Sequence, residues 1–489
     1  MINFRHSPRV PGLRPPSPLD RAAGRAHLIG IAGSGMQALA KVLVDRKWRV
    51  SGSDLNPAAR QIVAEGLRVE PLACPVQVQI GHAADHIPAD ANIVVYSDAI
   101  ASDNPERKRA QDLQIPILSY PQVLGRLMSG KRGLAVAGTH GKSTTTAMLA
   151  EILMADRCDP TYLIGARPMS NLPAGRAGGG ETMLVEACEY RANFLNITPH
   201  AAAILNIEPD HFDFYRTIDQ LHAAFAEFAR RIPAGGLVLA NHDCAASLWA
   251  TTGVSCRVAT FGLQSWADWS ATNLRQERGC YRYRLLYQGR PRYEMTLRVP
   301  GKHQVLNSLA AAALANEAGI NDQTIRDALA AFQGLERRLE YLGEWHGAHL
   351  VDDFAHHPTE VTASLAAIRL MYPGRRICCV FQPHQVSRTW HLLDEFAASL
   401  QNADQVAVAE IFPAREPLHA RHRVTAANLA QRVRQGGGEV WPVHTMPAIL
   451  DRLEQTLVSG DVLVTLGAGD VRKIPHALTA RLQGHRAVG

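Results

Sequence analysis

Residues Gly138-Thr139-His140-Gly141-Lys142-Ser143-Thr144-Thr145-Thr146 constrain this chain more than any other stretch. An apolar, strand-like run at 133–137 precedes them, and 147–153 follows with apolar residues at helical spacing. Strand, glycine turn, Gly-Lys-Ser and helix together make the setting of a phosphate-binding loop. Glycines let backbone N–H groups close round phosphate oxygens, and the helix N-terminus adds the positive end of its dipole. In such a loop the lysine reaches the β- and γ-phosphates and the serine hydroxyl ligates Mg²⁺. The motif is shorter than the general G-x-x-x-x-G-K-[ST] form, and a bare Gly-Lys-Ser also serves as a helix cap. The flanking strand and helix favour nucleotide binding.

A chain of 489 residues is too long for one hydrophobic core and implies several domains. Its 46% hydrophobic and 20% charged content is that of a globular protein with sizeable cores. The net charge of +6 comes mostly from arginine and forms no basic block. That argues against a nucleic-acid binder and suits an enzyme whose substrates are phosphates and carboxylates. The eight cysteines show no C-x-x-C pair, no secretory signal is evident and no segment reaches transmembrane length. Free thiols, a cytoplasmic location and no membrane partner are the expectation.

Three α/β blocks follow one another. The first opens with a short apolar strand, the glycine turn Gly30-x-x-Gly33-x-Gly35 and a helix, then a second strand ending at Asp54. This is a βαβ unit with an acid roughly twenty residues past the glycines, a pattern also compatible with a nicotinamide dehydrogenase. The second block holds the phosphate loop, a strand ending at Glu186, and a strand at 201–205 leading into Asn206-Ile-Glu-Pro-Asp-His211. Groups at the C-terminal ends of parallel strands lie where open α/β sheets bind ligands, so Glu186 is expected beside the phosphate loop, completing an oxygen-ligand Mg²⁺ site. Residues 175–180, rich in glycine, read as a mobile loop, and the alternation over 271–299 reads as an antiparallel edge hairpin. The third block begins near Arg337-Arg338 and alternates strands with helices to the C-terminus; Cys378-Cys379 there reads as core packing.

The ordered motifs resemble those of the Mur ligases, ATP-dependent enzymes that attach amino acids to the cell-wall precursor. The resemblance runs from about His27 to the C-terminus. It is carried by Gly30 to Met36, Ser51 to Asp54 and Ser102 to Glu106 in the first block. In the second it is carried by Ala137 to Thr145, Glu186 to Glu189, Asn206 to His211 and His303 to Asn307. In the third it is carried by Arg337-Arg338, Asp352 to Pro358, Phe381 to His384, Ser387 to Thr389 and Gly467 to Gly469. The implied fold class is α/β with three domains after a flexible extension (1–25). These are a Rossmann-like UDP-sugar-binding domain (26–130), a central P-loop ATPase-type α/β domain (131–335) and a C-terminal Rossmann-like α/β, amino-acid-binding domain (336–489). The members resembled most add L-alanine to the carboxylate of UDP-N-acetylmuramate through an acyl phosphate, using ATP and Mg²⁺.

The resemblance also implies roles. Gly30, Gly33 and Gly35 hold the UDP pyrophosphate, Asp54 meets the uridine ribose, and His82 and Ser97 lie near the nucleotide. Gly138, Thr139, His140, Gly141, Lys142, Ser143 and Thr144 wrap the ATP phosphates, Asn307 reads the adenine edge, Asp353 binds the ATP ribose and Arg338 approaches the γ-phosphate. Ser143, Glu186 and His211 hold metal; Lys142, Glu186, His211 and Arg338 form the catalytic set. His356, His357, His384 and Arg388 line the amino-acid side, with Arg388 clamping the incoming carboxylate. Gln385 stands where an arginine often shares that task. No lysine occurs between Lys142 and Lys302, where several family members carry a carbamylated lysine for later pathway steps. A monomer or homodimer with no nucleic-acid partner is expected. Three other readings stand beside this one: a ligase that joins a whole peptide to UDP-N-acetylmuramate, a nicotinamide oxidoreductase, and a non-catalytic nucleotide-binding regulator.

Overall fold

The computed structural model describes residues 18–414, 416 and 423–486. Within these the strands form three sheets, of five, ten and five strands. The inner parallel strands are buried along all or nearly all of their length, because helices cover both faces of each parallel region and leave no solvated side.

The first sheet is wholly parallel, in the spatial order Val76–Ile80, Arg49–Asp54, Arg25–Ile29, Ile93–Tyr96, Ile117–Ser119. The chain reverses direction across the sheet between the strands at 25–29 and 93–96, the Rossmann-like switch point at which such sheets bind ligands. The glycine turn follows the strand Arg25–Ile29 and leads into helix Ser34–Asp45. Of the expected flexible extension, residues 1–17 lie outside the described residues. The remainder is anchored: Leu19 is buried in the core of the first sheet, and Arg46 Nη2 donates to its carbonyl oxygen at 2.7 Å.

The central sheet has a parallel heart made of Thr161–Leu163, Thr182–Ala187, Arg132–Ala137, Ala201–Ile204, Leu237–Asn241 and Arg257–Gly262. At one edge the predicted hairpin is a three-stranded antiparallel meander, Trp269–Glu277, Cys280–Tyr287 and Arg290–Thr296. At the other edge Gly175–Arg176 pairs antiparallel with Thr161–Leu163. The expectation of a mobile loop at 175–180 is therefore wrong. The glycines serve close packing instead: a Cβ on Gly175 would lie 2.1 Å from the carbonyl oxygen of Ala38, on helix Ser34–Asp45 of the first unit. Asp45 accepts from the Ala177 amide at 3.2 Å in the same contact.

The third sheet runs Glu340–Trp345, Ala348–Asp353, Val462–Leu466, Ile377–Phe381, Gln405–Val408, parallel apart from its first strand. Cys378 and Cys379 are both buried in it, and all eight cysteines are free. Among the described residues no helix is long and apolar enough to cross a membrane.

Candidate active site

The phosphate loop turns from strand Arg132–Ala137 into helix Lys142–Ala155, with Gly141 as the cap at φ +83°. A side chain there would suffer twice. The backbone is left-handed, and a Cβ would stand 2.6 Å from Asn307 Oδ1. The loop is fastened to the run after strand Ala201–Ile204: the His140 amide donates to Asn206 Oδ1 at 2.7 Å, and the Glu208 amide donates to Thr139 Oγ1 at 2.9 Å.

Lys142 folds over its own loop, donating to the carbonyls of Gly138 and Thr139 and pairing with Glu189 at 2.9 Å. Burial works against the ammonium, but the surrounding acidic groups, Glu189 first and Glu186 with it, together outweigh it and hold the group above its ordinary range. Glu189 answers in kind: burial pushes its carboxyl up, while Lys142 and then His211 bring it below the usual value. Ser143 Oγ donates to Glu186 Oε2 at 2.8 Å, so the hydroxyl and carboxylate expected to hold Mg²⁺ are adjacent. This pair of oxygen donors suits a hard cation. His211, in contrast, reaches Glu189 Oε1 at 3.2 Å rather than Glu186, and sits in left-handed backbone at φ +55°. The expected trio of Ser143, Glu186 and His211 is thus split into two carboxylate-centred pairs.

Two cavities flank the loop and share Gly141, Arg338 and Glu360 as a wall. The first, about 360 Å³, is bordered by His140, Thr144, His303, Asn307 and Asp353 among others. Asp353 accepts from the Leu339 and Ala355 amides, and burial pushes its carboxyl up to about 6 against the pull of Arg338. Asn307 Nδ2 donates to Gln304 Oε1 at 3.0 Å. The second cavity, about 440 Å³, is bordered by Lys142, Ser143, Glu186, His211 and His356. Ser34 and Gln37, from the helix after the first glycine turn, reach its wall.

Charged groups bridge the central and third sheets around these cavities. His140 Nδ1 lies 3.2 Å from Glu360 Oε1 and its Nε2 lies 3.6 Å from Glu208. Burial opposes a charge on His140, yet these two carboxylates raise it to about 9. The His357 ring stands 4.5 Å from that of His140, and burial lowers its pKa to about 4. His356, lowered to about 4 by burial as well, is held by Glu360 and faces His384 at 5.8 Å. Arg388 is engaged in full: Nε and Nη2 meet Asp210 Oδ1 at 2.8 and 2.7 Å, and Nη1 donates to the His384 carbonyl at 3.1 Å. Both partners are buried, and a buried guanidinium requires such a counter-charge. The expected carboxylate clamp is closed on an internal carboxylate here.

The candidate residues of the first unit gather separately, at the C-terminal ends of its strands, and border neither cavity. Gly30 stands against Ser97, Asp54 Oδ2 accepts from the Ala32 amide of the glycine loop at 2.9 Å, and His82 bonds Ser53. Their organiser is Glu106, fully buried and joined to His27, Ser53, His82 and His86. Burial alone would raise its carboxyl; His27 and Ser53 bring it below the ordinary value. Glu106, Glu189, Glu208 and Asp210 stand within the motifs read from the sequence but carried no role there, and Glu360 was passed over. Glu189 had a signal in its place just past the strand that ends at Ala187.

Comparison with known proteins agrees with this architecture. Family models match in sequence over three stretches: the Mur ligase family catalytic domain over residues 25–132, the Mur ligase middle domain over 136–315, and the Mur ligase glutamate ligase domain over 337–469. A UDP-N-acetylmuramate–L-alanine ligase of Desulfitobacterium hafniense is 40% identical over 92% of this chain and 98% of its own length. One of a Geobacter species is 38% identical over 94% and 98%. The crystal structure of the UDP-N-acetylmuramate-alanine ligase of Thermotoga maritima superposes with a TM-score of 0.79 at 26% identity, covering 94% of this chain and all of that one. With three family models in order along the chain, and relatives of this identity matched nearly end to end, the chain belongs to the Mur ligase family.

Proposed function

We propose that this enzyme joins L-alanine to the carboxylate of UDP-N-acetylmuramate, with ATP converted to ADP and phosphate. The observation that carries the reading is the convergence of Lys142, Ser143 and Glu186 on the second cavity, beside Arg338, which stands on the wall it shares with the first. Each cavity has the character one reactant needs. The relatives' names, over nearly the whole chain, support the choice of substrates.

A carboxylate resists attack by an amine because its oxygen is a poor leaving group, so ATP must first phosphorylate it. Transfer of the γ-phosphoryl needs positioning and charge neutralisation more than covalent help. Lys142 and Arg338 neutralise the phosphates, and the loop of Gly138, Thr139, His140, Gly141 and Thr144 wraps them at the start of helix Lys142–Ala155. Asn307 and Asp353 take the adenosine in the first cavity. Ser143 and Glu186 hold Mg²⁺, which supplies charge neutralisation to the phosphate oxygens when bound. His211 acts through Glu189, setting the charge on the group that pairs with Lys142. The UDP end lies on Gly30, Gly33, Gly35, Asp54, His82 and Ser97, so that the muramate carboxylate reaches the second cavity past Ser34 and Gln37. L-alanine enters from the side of His356, His357, His384 and Arg388, its amine displacing phosphate from the acyl phosphate. Closure between the sheets keeps water from that intermediate.

The test is phosphate release from ATP and Mg²⁺ in the presence of UDP-N-acetylmuramate, with L-alanine, glycine, L-serine or a tripeptide. Release that requires both the UDP-sugar and L-alanine is the expected result. Release with tripeptide alone would make the enzyme a peptide-recycling ligase, and no release with any combination would refute the catalytic reading.

A further inference from the structure

His140, Glu208 and His357 come from three parts of the chain and meet away from the Ser143–Glu186 pair. His140 belongs to the phosphate loop, Glu208 follows strand Ala201–Ile204, and His357 caps helix Pro358–Met371. Glu208 Oε2 lies 3.6 Å from His140 Nε2 and 3.7 Å from His357 Nδ1, and the three donor atoms are all within 4.8 Å of one another. Around a tetrahedral ion with bonds of about 2.0–2.1 Å, neighbouring donors stand about 3.3 Å apart. Glu208 therefore needs to move only a few tenths of an ångström against either imidazole.

The other ring nitrogens are already fixed. His140 Nδ1 faces Glu360 Oε1 at 3.2 Å, and His357 Nε2 faces the Pro209 carbonyl at 3.2 Å. Histidine ligands are typically held in this way, one N–H on a carboxylate or carbonyl and the opposite lone pair turned to the ion. The inward His140 Nε2 is buried and lacks a hydrogen-bond partner. His357 Nδ1 accepts only a long contact from the Thr359 amide at 3.4 Å, and Glu208 Oε2 accepts from Thr359 Oγ1, a bond its second lone pair lets it keep beside an ion.

We propose that His140, Glu208 and His357 bind a divalent ion of the zinc class and that this ion clamps the phosphate loop to the helix of the third sheet. Two imidazoles with one carboxylate suit Zn²⁺ or Co²⁺, whereas Mg²⁺ takes oxygen donors. Three protein donors leave a fourth position for water. The ion takes the place of a proton on His140 Nε2, the nitrogen that faces Glu208, while the Nδ1–H stays on Glu360. Because His140 and Glu208 also border the cavity assigned to adenosine, the clamp slows nucleotide exchange and lowers turnover.

The test is a Co²⁺ titration of the full chain without nucleotide, read by visible d–d absorption, which does not depend on the ligase reading. One equivalent of a tetrahedral-type band is expected. It should disappear in His357→Gln and Glu208→Gln, persist in Glu186→Gln and His211→Gln, and weaken in affinity about 10–100-fold in Glu360→Gln. His140→Asn supplies the same test should either ligand variant fail to fold. No band, a band that survives His357→Gln, or one lost in His211→Gln would overturn the site. So would intense near-ultraviolet charge transfer, which assigns the ion to cysteine thiolate.

Discussion

Replacing Lys142 with alanine should produce two separable defects, because the ammonium both faces the phosphate loop and neutralises Glu189. Glu189 is 2% exposed, and in the variant it keeps His211 at 3.2 Å as its remaining hydrogen-bond partner. Orphaning one member of a buried pair costs about 3–5 kcal/mol when the other must stay charged. Glu189 can instead take a proton, and that route caps the penalty at about 1.36 kcal/mol per pH unit above an ordinary glutamate pKa near 4.3. The cap is then about 3.7 kcal/mol at pH 7 and about 1.6 kcal/mol at pH 5.5. The sign follows from proton linkage. In the variant the folded state binds the Glu189 proton more tightly than the unfolded chain, so the loss of stability grows as pH rises. Thermal unfolding of wild type, Lys142→Ala and Lys142→Ala/Glu189→Gln at both pH values measures this term, and the double variant should recover most of it. Turnover should behave differently. Losing a preorganised charge at the transferring phosphoryl costs about 10²–10³ in kcat, and the second substitution should restore none of it. A double variant that regains turnover would show that Lys142 serves only to neutralise Glu189. A destabilisation equal at pH 5.5 and 7 would refute the buried-charge argument.

Arg388→Ala should raise the KM for L-alanine about tenfold or more, the worth of a charge-assisted contact, while leaving the KM for ATP little changed. Equal losses for both substrates would assign Arg388 to holding Asp210 alone. ATP affinity should fall as pH drops through about 6, the value to which burial raises Asp353, since the neutral carboxyl is a poorer acceptor for ribose hydroxyls. The same raised value stabilises the folded state on the acid side and is lost as pH rises from about 3.9 to 6. Nucleotide titration calorimetry from pH 5 to 8 tests this, and Asp353→Asn should flatten the profile. Glu106→Gln turns an amide toward groups that donate to the carboxylate. It should cost about 1–3 kcal/mol of stability in chemical denaturation and weaken UDP-N-acetylmuramate binding. Unchanged binding would remove Glu106 from the organisation of that site.

What the sequence revealed was whatever is encoded locally. The phosphate loop announces itself because strand, Gly141 and Lys142-Ser143 are contiguous, and Glu186 follows from its place at a strand end. The three α/β units follow from strand-sized apolar runs separated by helical spacing. Partnerships across the sheets were not legible. Nothing near Arg388 in the chain points to Asp210, 178 residues away. Nor does anything near His211 say that Glu189, rather than Glu186, will face it. The run at 175–180 misled for a related reason. Glycine permits either a loose chain or a close approach, and only the neighbouring helix decides between them.

That close approach has a consequence for how the chain avoids associating with itself. The outermost strand on that side of the central sheet is two residues long, and helix Ser34–Asp45 lies against it. A second molecule would find little unpaired backbone there to extend as a sheet. The opposite border, Arg290–Thr296, is longer and exposed but carries Arg290, Arg292 and Glu294. One rim of the ten-stranded sheet is thus protected by being short and covered, the other by charge.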